Sequence, residues 1–101
     1  MMIRLSVLDD VFKEEYERLK RMRAVMVKER DELPKGYLSS KLINGKAYYY
    51  LQHRCGKKVV SSYIKMGDTN QYKNQIARRK QLDASIKEID QNMKKLEKVL
   101  Q

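Results

Sequence analysis

The sequence predicts an α+β protein, an antiparallel two-helix coiled-coil hairpin with a three-stranded antiparallel β-meander at its tip. Three observations point there. Apolar residues recur at heptad spacing toward both ends of the chain, the middle switches to strand-like segments rich in Tyr, Val and Ile, and Asn44-Gly45 marks a tight hairpin inside that middle block. At 101 residues the chain suits one domain, expected over 1–101. Its 36% charged residues favour a thin, elongated core over a thick globular one.

The first helix is predicted over 8–33. Phe12, Leu19, Met26 and Leu33 recur every seven residues, and Leu8 and Met22 fill intermediate positions. Glu15 and Glu29 take alternate positions on the same seam, which makes it an imperfect zipper. Asp9 and Asp10 suit the positive end of the helix dipole. Pro34 is expected to end the helix, because proline disfavours helical geometry in the residue before it.

The meander is predicted over 37–65, with strands at 37–43, 46–54 and 57–65. Asn-Gly tolerates the positive φ angles of a two-residue turn, and Cys55-Gly56 is a weaker second turn signal. The second helix is predicted over 69–100, with Asp68 or Thr69 capping its first amides. Leu82, Ile86, Ile89, Met93, Leu96 and Leu100 keep a strict four-three alternation, and the same phase extended backward meets Arg79, Gln75 and Tyr72. A seam that regular also suits a homodimer or larger coiled-coil oligomer. Met22, Met26 and Met93 fall on seams, so core packing accounts for them better than an adaptable interaction surface shared with Met1, Met2 and Met66.

Charge carries the functional expectation. The chain holds 23 Lys and Arg against 13 Asp and Glu, a formal +10. Residues 1–33 are balanced, whereas 34–66 carry Lys35, Lys41, Lys46, Arg54, Lys57, Lys58 and Lys65 with no acid. Such a balance favours nucleic acid, an acidic protein surface or an anionic membrane, and the expected partner is nucleic acid, DNA or RNA, or an acidic or nucleoprotein complex. A membrane partner is not expected, since the longest uncharged apolar stretch is Ala47 to Leu51, far short of a span. The first ten residues reach acids before an apolar core of signal length develops, and one cysteine, Cys55, forms no internal disulfide. A cytoplasmic setting follows as an expectation.

Alternation along Ala47 to Arg54 separates Tyr48, Tyr50, Gln52 and Arg54 from Ala47, Tyr49, Leu51 and His53. One face reads as core, the other as a binding surface. There Tyr48 and Tyr50 are candidate stacking groups, and Lys41, Lys46, Arg54, Lys57 and Lys58 candidate phosphate contacts. Arg78 and Lys80 form a second basic group, while Arg79 is expected to pair across the hairpin with Glu15 or Glu29. Few amide side chains are available to read base edges, so contacts should be largely independent of sequence. His53 and Cys55 lack further partners for a metal site or an oriented nucleophile. No cofactor motif occurs, and a binding module is expected rather than an enzyme.

The stretch Leu33-Pro34-Lys35-Gly36-Tyr37-Leu38, through Ile43-Asn44-Gly45-Lys46 and Tyr48-Tyr49-Tyr50-Leu51-Gln52-His53-Arg54, to Gly56-Lys57-Lys58-Val59 and Tyr63-Ile64, resembles a hairpin in small proteins of bacterial phages and mobile elements. Similar segments look like parts of the amino-terminal regions of some transposases. The resemblance covers about a third of the chain and implies a mobile-element origin in a bacterial host. It transfers no catalytic residue, since the transposase catalytic acids have no counterpart here. The leading expectation is a small basic protein that engages nucleic acid or a nucleic-acid-handling complex through the meander. The alternatives are an anti-CRISPR-like inhibitor of a host defence nuclease, acting by protein or guide-RNA contacts, and a structural coiled-coil oligomer.

Overall fold

A computed structural model describes the backbone of residues 2–100 and the side chains of residues 8–100. Met1 and the side chain of Met2 lie outside the described residues, as does Gln101. Helix α1 runs Met2–Asp31, strands β1, β2 and β3 run Tyr37–Ile43, Lys46–Cys55 and Lys58–Ile64, a 3-10 turn covers Met66–Asp68, and helix α2 runs Thr69–Leu100. The expected fold class holds: two helices in contact, with a three-stranded antiparallel sheet between them in the chain. Two compact units result, residues 1–31 with 81–101, and residues 32–80.

In the first unit, α1 lies antiparallel to the later turns of α2. Leu19, Leu82, Ile86 and Ile89 are buried, and Phe12, Met22, Met26, Met93, Leu96 and Leu100 are half-buried. The heptad phase read from the sequence is therefore the packing phase. Alongside it runs a ladder of polar contacts. Tyr16 Oη donates to Glu97 Oε1 at 2.8 Å, Arg23 Nε donates to Asp90 Oδ1 at 2.6 Å, and Arg30 Nη1 lies 3.5 Å from Asp83 Oδ1. Each step is seven residues forward on α1 and seven back on α2, as antiparallel heptads require.

Three details of α1 depart from expectation. It begins at Met2, so Asp9 and Asp10 lie beyond its first turn, and it ends at Asp31, short of 33. Its last turn carries Lys28 and Arg30, which suit the negative end of the dipole. Leu8, expected on the seam, is 52% exposed. Glu15 pairs along its own helix with Arg18.

The ladder gives this unit a two-sided pH response. The hydrogen bond from Arg23 holds the Asp90 carboxyl below its ordinary range, so its stabilisation is present above the free-carboxyl pKa and is lost as pH falls through the lowered folded value. Donation to Glu97 pushes the Tyr16 phenol above its ordinary value, so that stabilisation is present below the free-phenol pKa and is lost as pH rises through the raised one. Melting midpoints should therefore plateau between about pH 5 and 9 and fall on both sides. Asp90→Asn should flatten the acid limb and Tyr16→Phe the alkaline limb in melts followed by circular dichroism. An alkaline limb unchanged in Tyr16→Phe removes that rung from the account.

In the second unit the strands follow the order β1-β2-β3. Asn44 at φ 51° and Gly45 at φ 80° form the expected two-residue hairpin, both residues left-handed. The second turn is Gly56-Lys57 rather than Cys55-Gly56, with φ 65° at Gly56, so Lys57 sits in the turn and β3 begins at Lys58. Ser39, Tyr50 and Tyr63 form one row across the sheet, and Ser40, Tyr49 and Ile64 the next. Ile64 and Ile76 are buried, and Lys73 Nζ lies 5.5 Å from the Tyr49 ring centroid. The opening of α2 thus meets the Tyr49 face of the sheet.

Two polar contacts of α2 stay within this unit. The Thr69 hydroxyl donates to the Met66 carbonyl at 3.3 Å. Arg79 Nη1 donates to the Leu33 carbonyl at 2.7 Å, giving a strongly polar donor a backbone partner just before Pro34. The interior of this unit also uses Ile76, one position off the coiled-coil phase. Residues 73, 76, 77 and 80 line a shallow cleft with Tyr37 and Leu38, which is a second helical stripe turned to the sheet.

Candidate functional site

Side chains alternate across a strand, and residues directly opposed in antiparallel strands share a face. The register therefore puts Tyr37, Ser39, Lys41 and Ile43 of β1 on one surface with Lys46, Tyr48, Tyr50, Gln52 and Arg54 of β2. From β3, Val59, Ser61 and Tyr63 join them. Because α2 meets the opposite face, this surface stays open. Ile43, Val59 and Tyr63 are exposed on it, Tyr48 and Tyr50 are half-buried, and Tyr37 at the edge strand is exposed but also lines the cleft with α2.

The rings form a cluster. The Tyr63 centroid lies 6.3 Å from that of Tyr48 at 47°, and 5.8 Å from that of Tyr50 at 65°, close to an edge-to-face arrangement. Lys41 Nζ sits 5.4 Å from the Tyr50 centroid, a cation held against a ring. Lys46 and Arg54 stand exposed toward the two ends of β2. Six of the seven tyrosines, all but Tyr16, fall in the second unit.

Charge is divided unequally between the units. Residues 32–80 contain eleven Lys and Arg against Glu32 and Asp68, a net +9, whereas the first unit contains twelve against eleven. The ion pairs Arg18–Glu15, Arg23–Asp90, Arg30–Asp31 and Arg30–Asp83 lie in the first unit. Among the described residues, Lys41, Lys46, Arg54, Lys57 and Lys58 have no carboxylate partner. A surface with unneutralised cations and exposed rings has the chemistry to hold phosphates and planar groups together.

The structure brings together five of the nine residues expected to bind: Lys41, Lys46, Tyr48, Tyr50 and Arg54. Lys57 lies in the second turn, and Lys58, paired with Cys55, points to the opposite face. Arg78 and Lys80 lie on α2, the helix that meets that opposite face, and Lys80 lines the cleft beside Ile76. Tyr63 is the residue the sequence reading left out. Its signal was the turn: two residues between Cys55 and Lys58 force Tyr63 opposite Tyr50. His53 and Cys55 lie on the Tyr49 face, and among the described residues no group of three or more His, Cys, Asp or Glu converges as a metal site would require.

The span from α1 through the whole sheet into α2, residues 13–74, matches the family model described as Domain of unknown function (DUF6788). The chain belongs to that family. The DUF6788 match takes in every residue of the tyrosine surface and stops short of Arg78 and Lys80. Comparison with curated proteins and with solved structures finds no match. Among the described residues no helix is long and apolar enough to cross a membrane.

Proposed function

We propose that this DUF6788 protein binds nucleic acid through the open face of its sheet, as a binding module rather than a catalyst, and acts in the cytoplasm of a bacterial host. Lys41, Lys46 and Arg54 neutralise backbone phosphates, and Tyr48 and Tyr50 contact bases or sugars. Lys57, Lys58, Arg78 and Lys80 strengthen the surrounding positive field without standing on that face. The observation that carries this reading is the concentration of +9 on the unit whose tyrosine face is left uncovered. The likeness of the same segment to phage and mobile-element proteins supports it from the sequence side.

Counterion release supplies the test. Each neutralised phosphate steepens the fall of log affinity with log salt by about 0.9 on duplex or 0.7 on single strands. Three contacts from Lys41, Lys46 and Arg54 give an expected slope of about −2 to −3 in a filter-binding titration. The double variant Lys41→Gln, Arg54→Gln should reduce it by about 1.5. A slope near zero for the native chain defeats the proposal.

A further inference from the structure

We infer that the ligand of this face is single-stranded nucleic acid, with Tyr63 as the central stacking platform; the inference rests on the nucleic-acid reading above. Tyr63 is 55% exposed, yet its ring is braced on the sheet by Tyr48 and Tyr50 at 6.3 and 5.8 Å. A ring that is both open and fixed offers a flat surface without a large ordering cost on binding. A duplex cannot use such a surface, because its base faces are stacked inside the helix and only edges line the grooves. Edge reading needs amide or guanidinium groups among the rings, and this face offers only Gln52 and, at the end of β2 beyond the rings, Arg54. Unpaired bases, by contrast, present faces that stack on any aromatic ring.

The cations fit a strand laid along β2. Arg54 lies eight positions along β2 from Lys46, about 27 Å, with Tyr48 and Tyr50 between them. Lys41 lies against Tyr50 from the β1 side, and Tyr63 flanks it from β3. Phosphates can follow the line of positive groups while bases turn onto the rings. Little on the face distinguishes one base from another, so the preference is for an open strand and not for a sequence.

The chain contains no Trp, so its intrinsic emission is tyrosine emission, and stacking at this face is read directly as quenching. The native protein is titrated at one salt concentration with an oligothymidylate, an oligouridylate and a duplex of equal length. Single strands should quench and bind at least about tenfold more tightly than the duplex. Tyr63→Ala should weaken single-strand binding roughly 5- to 100-fold, and Tyr63→Phe should bind as the native chain does. Tyr63→Leu, which keeps apolar bulk on the strand, guards against a folding defect in the alanine variant and should lose the same affinity. Equal or tighter duplex binding with a retained salt slope overturns this inference and leaves the broader reading standing. Absence of salt-dependent binding to all three probes overturns both, and native affinity in folded Tyr63→Leu removes Tyr63 from the platform.

Discussion

Replacing Leu82 by Ala is expected to cost about 3 kcal/mol, lowering the melting midpoint by about 12–24 °C. Leu82 is 2% exposed and stands on the seam with Ile86 and Ile89, where α1 contributes Leu19. Among the described residues, the buried hydrophobic set is Leu19, Ile64, Ile76, Leu82, Ile86 and Ile89, so one truncation removes a large share of the apolar interior. Two helices cannot close around a lost isobutyl group as a multilayered core can. For a domain of this size, whose whole stability is about 5–15 kcal/mol, such a loss is severe. Leu8→Ala is the matched control. It lies on the same predicted seam but is half open to water, and should change stability by no more than about 0.5 kcal/mol. Urea titration of both variants decides: equal midpoints would mean the seam is not the core.

Gly36→Ala is expected to be the most damaging change in the second unit. Gly36 has φ 112°, a conformation that side chains with a Cβ rarely adopt, and an added Cβ would meet the Gln52 carbonyl oxygen at 2.0 Å. The strain alone is worth about 1–3 kcal/mol, and the backbone contact leaves the strand nowhere to go except away from β2. Gly36 directly precedes Tyr37, the first residue of β1 and the partner of Gln52. The same strand carries Lys41, whose ammonium lies against Tyr50. The variant should therefore lose hydrogen-exchange protection first at the Tyr37 and Gln52 end of the sheet, and, on the proposed function, lose affinity for nucleic acid with it. Gly45→Ala supplies the contrast. It shares a positive φ of 80° but has nothing within 4 Å of the added Cβ, so it should show conformational strain without displacing a strand. Equal loss of protection in the two variants would mean that the close approach to Gln52 contributes nothing.

The parts of the fold legible in the sequence are those set by local periodicity. The four-three phase of α2 was readable because Ile and Leu hold one stripe for many turns, and every position of that phase from Tyr72 to Leu100 is at least half-buried. The Asn44-Gly45 turn was readable because its geometry is local chemistry. The start of α1 was not, because Asp9 and Asp10 resemble a first helical turn while the helix already runs from Met2. Ile76 escaped because it lies off the heptad phase, and only the sheet beside it gives it a reason to be buried. The ladder also passed unread, although Asp83, Asp90 and Glu97 stand seven apart; residues just outside a seam acquire meaning once the register across the two helices is fixed.

The candidate site divides along the same line. Alternation along β2 is enough to separate Tyr48, Tyr50 and Arg54 from Tyr49 and His53. Strand pairing was needed to bring Lys41 and Tyr63 beside them and to send Lys58 to the other surface. Arg78 and Lys80 read as a second basic group serving the same binding region as the strand lysines. Their helix, however, meets the opposite side of the sheet.

The cross-helix ladder has a sidedness that governs self-association. In these three rungs α1 supplies the Tyr16 hydroxyl donor and the Arg23 and Arg30 guanidiniums, and α2 supplies the carboxylates of Glu97, Asp90 and Asp83. Laying α1 against a second α1 would set guanidinium toward guanidinium, and two α2 helices would set carboxylate toward carboxylate. The two helices are therefore complementary to each other and not to themselves. Two chains that traded helices would keep every rung intact, whereas any other pairing of copies would have to use a surface outside the ladder.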